Sequence, residues 1–175
     1  LRACYVGIKT ADPDALVISA GLSPTGNGPP EAMPDTEYLI GMYEAGAAPY
    51  FDLLGVHAPG FLYPPEISPD KVAAKHDGYR FFCFRHVEDL REIMVRYGDG
   101  NRQVAVLEVS WTTDPVHPSY AWFAVTPEQQ ADYLVRAFQY AKEHWSPWIG
   151  LMTVLSIPDP EWTEEDEQYW WAITE

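Results

Sequence analysis

The chain has 175 residues, 47% of them hydrophobic and spread over its whole length, which is enough for a single domain, 1–175, with a core of its own. Acidic residues number 26 against 11 basic, a net charge of -15 whose mean field repels a phosphate backbone or an anionic lipid surface, so neither nucleic acid nor membrane is an expected partner. No apolar run reaches the roughly 18 residues of a membrane span. Leu1-Arg2-Ala3-Cys4-Tyr5 lacks a signal-peptide layout, and Cys4 and Cys83 have no ligand spacing with histidine, so a soluble chain with no metal and no cofactor is expected.

Residues 1–9 read as the closing turns of a helix, stopped by Ala11-Asp12-Pro13. The apolar run 15–20 is expected to be a buried strand, followed by a loop rich in Pro and Gly over 21–34. A helix over 35–45 ends before Gly46 and Pro49, a second strand covers 51–56, and a second long loop covers 58–69. The next helix, 87–97, turns Leu90, Ile93, Met94 and Tyr97 inward and stops at Gly98. A third strand over 103–107 is closed by Glu108 and followed by Val109-Ser110-Trp111-Thr112-Thr113-Asp114-Pro115.

The strongest helix signal begins at Thr126-Pro127-Glu128-Gln129, where Thr126 caps, Pro127 fits the first turn and Gln129 reaches back. Its apolar stripe is Ala131, Leu134, Val135, Phe138 and Ala141. The fourth strand is expected over 149–155. The last helix, over 163–173, opens on Thr163-Glu164-Glu165-Asp166 and carries Tyr169, Trp170 and Trp171.

Strands alternating with helices imply an α/β fold of four parallel β-α units joined by right-handed crossovers, with the long loops at the carboxyl ends of the strands, where such folds bind ligands. Four units are half of a closed (β/α)₈ barrel. A half-barrel exposes two sheet edges and an apolar inner face, so the chain is expected to associate, two copies approximating a barrel about a two-fold axis. Strand parity places Val104, Val106 and Glu108 on one face, toward a barrel axis, and Ala105, Leu107 and Val109 beneath helices. On the preceding strand the matching inward set is Leu53, Gly55 and His57, so His57 and Glu108 should converge.

The segments Lys9-Thr10-Ala11-Asp12-Pro13-Asp14-Ala15-Leu16-Val17-Ile18-Ser19-Ala20-Gly21-Leu22, Asp52-Leu53-Leu54-Gly55-Val56-His57, Phe84-Arg85-His86-Val87-Glu88-Asp89-Leu90-Arg91 and Val106-Leu107-Glu108-Val109-Ser110-Trp111 resemble, in order and spacing, the second half of a retaining clan-A glycoside hydrolase, a (β/α)₈ cellulase-like or family-thirty-nine-like enzyme. The resemblance covers nearly all of the chain, from the helix before the fifth strand to the helix after the eighth. It implies that Glu108 is the nucleophile at the end of the seventh strand, that His57 contacts substrate at the end of the sixth, and that the substrate is a β-linked saccharide. The family's acid/base, an Asn-Glu pair after the fourth strand, falls before Leu1, and Leu155 or a neighbour stands where the family presents a Trp under the reacting sugar. The resemblance leaves the compartment open, secretion being one outcome it allows.

Each of these residues has a structural reading as well. Glu108 as a mere strand-end carboxylate would need loop amides or an arginine, since an uncompensated charge facing a strand bundle is costly. His57 is as readily a hydrogen-bonded core histidine. Trp111 either lines a sugar site or packs beneath the loop that follows it. Asp12-Pro13-Asp14 reads as a turn, Glu88-Asp89 as a helix start, and the acids at 164–167 as a solvated charge run. With one persuasive carboxylate where glycoside hydrolysis uses two, a catalytically inactive half-barrel scaffold or weak carbohydrate binder is the alternative to an active glycosidase. Another barrel hydrolase, or an open α/β binding module with strand-end acids, is a third reading.

Overall fold

The computed structural model describes residues 1–173. Three parallel strands, β1 (Leu54–Pro59), β2 (Val104–Ser110) and β3 (Ile149–Val154), form one open sheet in the order β1-β2-β3. The helices in chain order are α1 (Arg2–Ala11), α2 (Asp35–Glu44), α3 (Pro69–Ala73), α4 (Val87–Arg96), α5 (Pro118–Ala121), α6 (Pro127–Tyr140) and α7 (Glu167–Trp171). The protein is therefore mixed α/β with parallel strands, as its alternating pattern predicts.

The core lies between the sheet and α2, α4 and α6. Leu54, Val56 and Ala58 of β1 and Val104, Val106 and Val109 of β2 are buried with Leu39, Leu90, Met94, Leu134 and Ala137 from those helices. Burying a side chain the size of Leu90 or Met94 stabilises by about 1.5–3 kcal/mol, and the regular recurrence of these residues on α4 selects the face it presents. Gly98, at φ +79, follows α4 as its stop.

The expected first strand does not form as a strand. Residues 18 and 22 bridge to Leu53 and Val56 in parallel sense, but between them the Gly55 amide donates to the Ser19 hydroxyl at 2.8 Å rather than to a backbone carbonyl, which interrupts the ladder. The second strand starts later than its apolar run because Asp52 is engaged elsewhere, accepting from the Val17 amide at 2.7 Å and pairing with Lys9 at 2.9 Å. The last helix is confined to α7. The Thr163–Asp166 pattern closes on itself, the Asp166 carboxylate accepting from the Thr163 amide at 2.9 Å, so the chain turns there and α7 begins at Glu167.

Two faces are also reassigned. The α6 capping box forms as predicted, the Thr126 hydroxyl accepting from the Gln129 amide at 3.2 Å and the Thr126 amide donating to the Gln129 side chain at 2.9 Å. The helix, however, buries Gln130, Leu134 and Ala137, while Val135 and Phe138 lie on an apolar groove beside Val154 and Ile173. On β2 the parity is broken by a bulge: Val56 pairs with Val106, and the next pair is His57 with Glu108. Val104 and Val106 thus face the helices, contrary to the expected assignment, and skipping Leu107 turns Glu108 to the opposite face. The Thr153 hydroxyl of β3 donates to the carbonyl of Leu107, satisfying the group that the bulge takes off the ladder.

Candidate functional site

Glu108 and His57 sit at the carboxyl ends of adjacent strands, on the face away from the helices, with His57 Nδ1 3.0 Å from Glu108 Oε2. The expected convergence is present, although the bulge rather than simple alternation produces it. Among the described residues no arginine or lysine pairs with Glu108; its side-chain partner is the imidazole, and the carboxylate is 42% exposed. Both side chains line a cleft of about 510 Å³ over the strand ends.

The cleft is closed on its far side by the carboxyl-terminal strap. The Trp170 carbonyl accepts from the Thr113 amide at 3.0 Å and from its hydroxyl at 3.2 Å, and the Ile173 amide donates to the Ser156 carbonyl at 3.3 Å. His117 adds a third anchor. Its Nε2 lies 3.1 Å from the Glu165 carbonyl and its Nδ1 2.7 Å from the buried Asp114 carboxylate. Burial works to raise the Asp114 carboxyl, but donation from the His117 and Val116 amides and from the imidazole outweighs it and holds the group below the ordinary carboxylate range. The hydrogen bond to Asp114 in turn raises His117, and its two ring nitrogens face two acceptors, the Asp114 carboxylate and the Glu165 carbonyl.

This strap brings Glu167 and Trp171 to the cleft, where they meet Tyr120 of α5. Trp171 packs edge-on against Tyr120 with ring centroids 5.7 Å apart. Hydrogen bonding to Glu167, reinforced by burial, pushes the Tyr120 phenol up to about 12, so it stays protonated. The buried hydroxyl oxygen of Ser156, also on the cleft wall, has no hydrogen-bond partner among the described residues. Two carboxylates, an imidazole, a phenol, an indole and serine hydroxyls make a site suited to a neutral, hydroxyl-rich ligand with one apolar face. Among the described residues no group of His, Cys, Asp and Glu is placed to hold a metal ion.

Trp111 does not line the cleft. It is fully buried, its ring 5.6 Å from Tyr133 and 6.1 Å from Phe84, and its indole N–H donates to the Tyr63 carbonyl at 2.8 Å. Its place as a substrate-binding residue is corrected to that of a core residue beneath the following loop, because parity after the bulge sends Val109 and Trp111 toward the helices. Glu167, Tyr120, Ser156 and Trp171 were not legible as site residues in the sequence, since the acids at 164–167 have the signature of a solvated helix start. The aromatic pair Trp170-Trp171 beside that run was the available signal. Glu88 and Asp89 are structural, Glu88 pairing with Arg85 at 2.9 Å and Asp89 with Arg80 at 2.8 Å.

No known protein family, curated protein or solved structure matches the chain.

Proposed function

We propose that the cleft binds a β-linked saccharide and hydrolyses its glycosidic bond with retention of configuration, Glu108 acting as nucleophile. The observation that carries this reading is the Glu108 carboxylate itself. It stands at the carboxyl end of the central parallel strand, aimed into a cleft and held, among the described residues, through one oxygen by His57, where a structural carboxylate would be neutralised by a cation or amides. His57 orients the carboxylate, Trp171 and Tyr120 offer ring faces and edges to a sugar, and Ser156 offers an unmatched hydroxyl. The test is turnover of a panel of aryl β-glycosides: the wild-type chain should release the aryl alcohol and Glu108→Gln should abolish release, whereas undiminished turnover in that variant removes Glu108 from the mechanism. Saccharide binding without turnover would instead support a binding scaffold using the same cleft.

The same reading implies that this sheet, with the bridged segment 18–22 in the place of a fourth strand, is one half of a (β/α)₈ barrel, completed by a second copy across a two-fold axis. Supporting it are the strand order, which follows the chain order; the packing of α2, α4 and α6 on one face; and apolar surface left on β3 and α6, where Leu151 is 40% and Val135 59% exposed. Light scattering tests it. Association should strengthen with added salt, because a charge of -15 on each copy opposes pairing until screened, and a monomer at every salt concentration overturns the pairing.

A further inference from the structure

We propose that Glu167 is the acid/base that works with Glu108, supplied in the same chain by the strap that closes the cleft; this rests on the reading of Glu108 as nucleophile. Glycoside hydrolysis with retention needs two carboxyl groups about 5–5.5 Å apart across the scissile bond. Among the described residues exactly two carboxylates line the cleft, Glu108 from β2 and Glu167 from the first position of α7. They come from separate walls and keep different company, Glu108 beside an imidazole and Glu167 beside a phenol.

The neighbours of Glu167 have the character of a supporting shell. Tyr120 lines the cleft with Glu167, and its phenol, raised by that neighbour, remains protonated. Tyr120 is itself fixed by edge-on contacts with Trp171 at 5.7 Å and Phe123 at 5.9 Å. Three tethers hold the strap, through the carbonyls of Trp170 and Glu165 and the amide of Ile173. A solvated surface glutamate would need none of this. The orphaned Ser156 hydroxyl on the same wall is a second, independent sign that a polar ligand belongs there.

In the first step a Glu108 oxygen forms a bond to the anomeric carbon as that carbon's bond to the leaving oxygen breaks, and the leaving oxygen keeps the bonding electron pair and takes the proton of the Glu167 carboxyl. In the second, water gives a proton to the Glu167 carboxylate while its oxygen displaces Glu108 from the anomeric carbon. Both side chains return to their starting forms, and the net change is addition of water across the glycosidic bond.

The experiment compares wild type, Glu167→Ala, Glu167→Gln and Glu108→Gln on aryl β-glycosides graded by leaving-group acidity, with and without azide. Loss of a general acid costs about 10²–10⁴-fold when the leaving group is poor and little when it leaves unaided, so the Glu167 variants should slow steeply down the series. Azide, needing no general base, should restore their turnover and give a glycosyl azide of retained configuration. Glu108→Gln should respond to neither. Rates equal to wild type for both Glu167 variants, or a uniform loss that azide does not relieve, overturns the role of Glu167 while leaving Glu108 in place. A wild-type chain that turns over no member of the series overturns both readings. Glu167→Gln, nearly the same shape as the native side chain, separates chemistry from any loosening of the strap.

Discussion

The backbone of Gly21 lies against the His57 imidazole so closely that a Cβ at that position would stand 2.2 Å from Nε2. The ring is therefore wedged between the segment that joins the two parallel bridges, at residues 18 and 22, and the Glu108 carboxylate. Gly21→Ala should force the imidazole off its position, at a cost of about 1–3 kcal/mol typical of an overpacked site, and weaken any saccharide binding in proportion. Thermal unfolding and the His57 ring resonances report both effects. An unmoved ring in the variant would show that the loop yields instead.

Trp111 has a comparable relation to Gly60, where a Cβ would come within 1.8 Å of the indole. As a core residue, Trp111→Ala should destabilise by about 3–5 kcal/mol. Trp111→Phe, which removes the N–H bond to the Tyr63 carbonyl, should cost about 1–3 kcal/mol from the stranded buried carbonyl. In neither case should the folded fraction lose affinity for a saccharide. Denaturant titration beside a binding isotherm distinguishes this from a role in the cleft, which would lower affinity without lowering stability.

His86 is buried with Asp35 at 2.9 Å and Asp89 at 3.2 Å, and Arg80 lies behind Asp89. Burial disfavours its charge, but the two carboxylates outweigh burial and push the imidazolium up to about 9. Because this value lies above the unfolded one, the pair's contribution to stability is fully present below about 6.5 and is lost as pH rises through about 9. Denaturant midpoints should therefore fall between those two pH values, and His86→Gln should flatten that slope while lowering stability at the acid end. A wild-type slope that survives the substitution would place the titration elsewhere.

The strap depends on His117 donating from both ring nitrogens. His117 is raised by its bond to Asp114, so its anchoring is fully present below the ordinary imidazole value and is lost as pH rises through the folded value. His117→Ala should speed hydrogen exchange at residues 163–171 and in Thr113, whose amide meets the Trp170 carbonyl, while leaving β1 and β2 protected. Unchanged exchange in the strap would mean that the Thr113 and Ser156 contacts suffice to hold it.

What was legible in the sequence was what short-range chemistry decides. The α6 cap rests on four adjacent residues, and a carboxylate after an apolar strand run locates Glu108 at a strand end whatever the rest of the chain does. The bulge at Leu107 was not legible, because the group that accommodates it, the Thr153 hydroxyl, arrives from β3 some forty-six positions later. The register shift at that bulge sets the faces of Glu108 and Trp111 relative to Val106, and it explains why the predicted meeting of His57 with Glu108 holds while Trp111 is misplaced. Glu167 was hidden for a similar reason. Its run is acidic and opens with a capping pattern, and only the docking of the Trp170 carbonyl on Thr113 turns that stretch into a wall of the cleft.

The central claim, that Glu108 attacks an anomeric carbon, is tested most directly by trapping. A 2-deoxy-2-fluoro β-glycoside with an activated leaving group slows the second step more than the first, so the glycosyl-enzyme accumulates. The account predicts a mass increase of one fluoroglycosyl unit, located by peptide mapping on Glu108 and absent in Glu108→Gln. A label on any other side chain, or none while the aryl alcohol is still released, would contradict it.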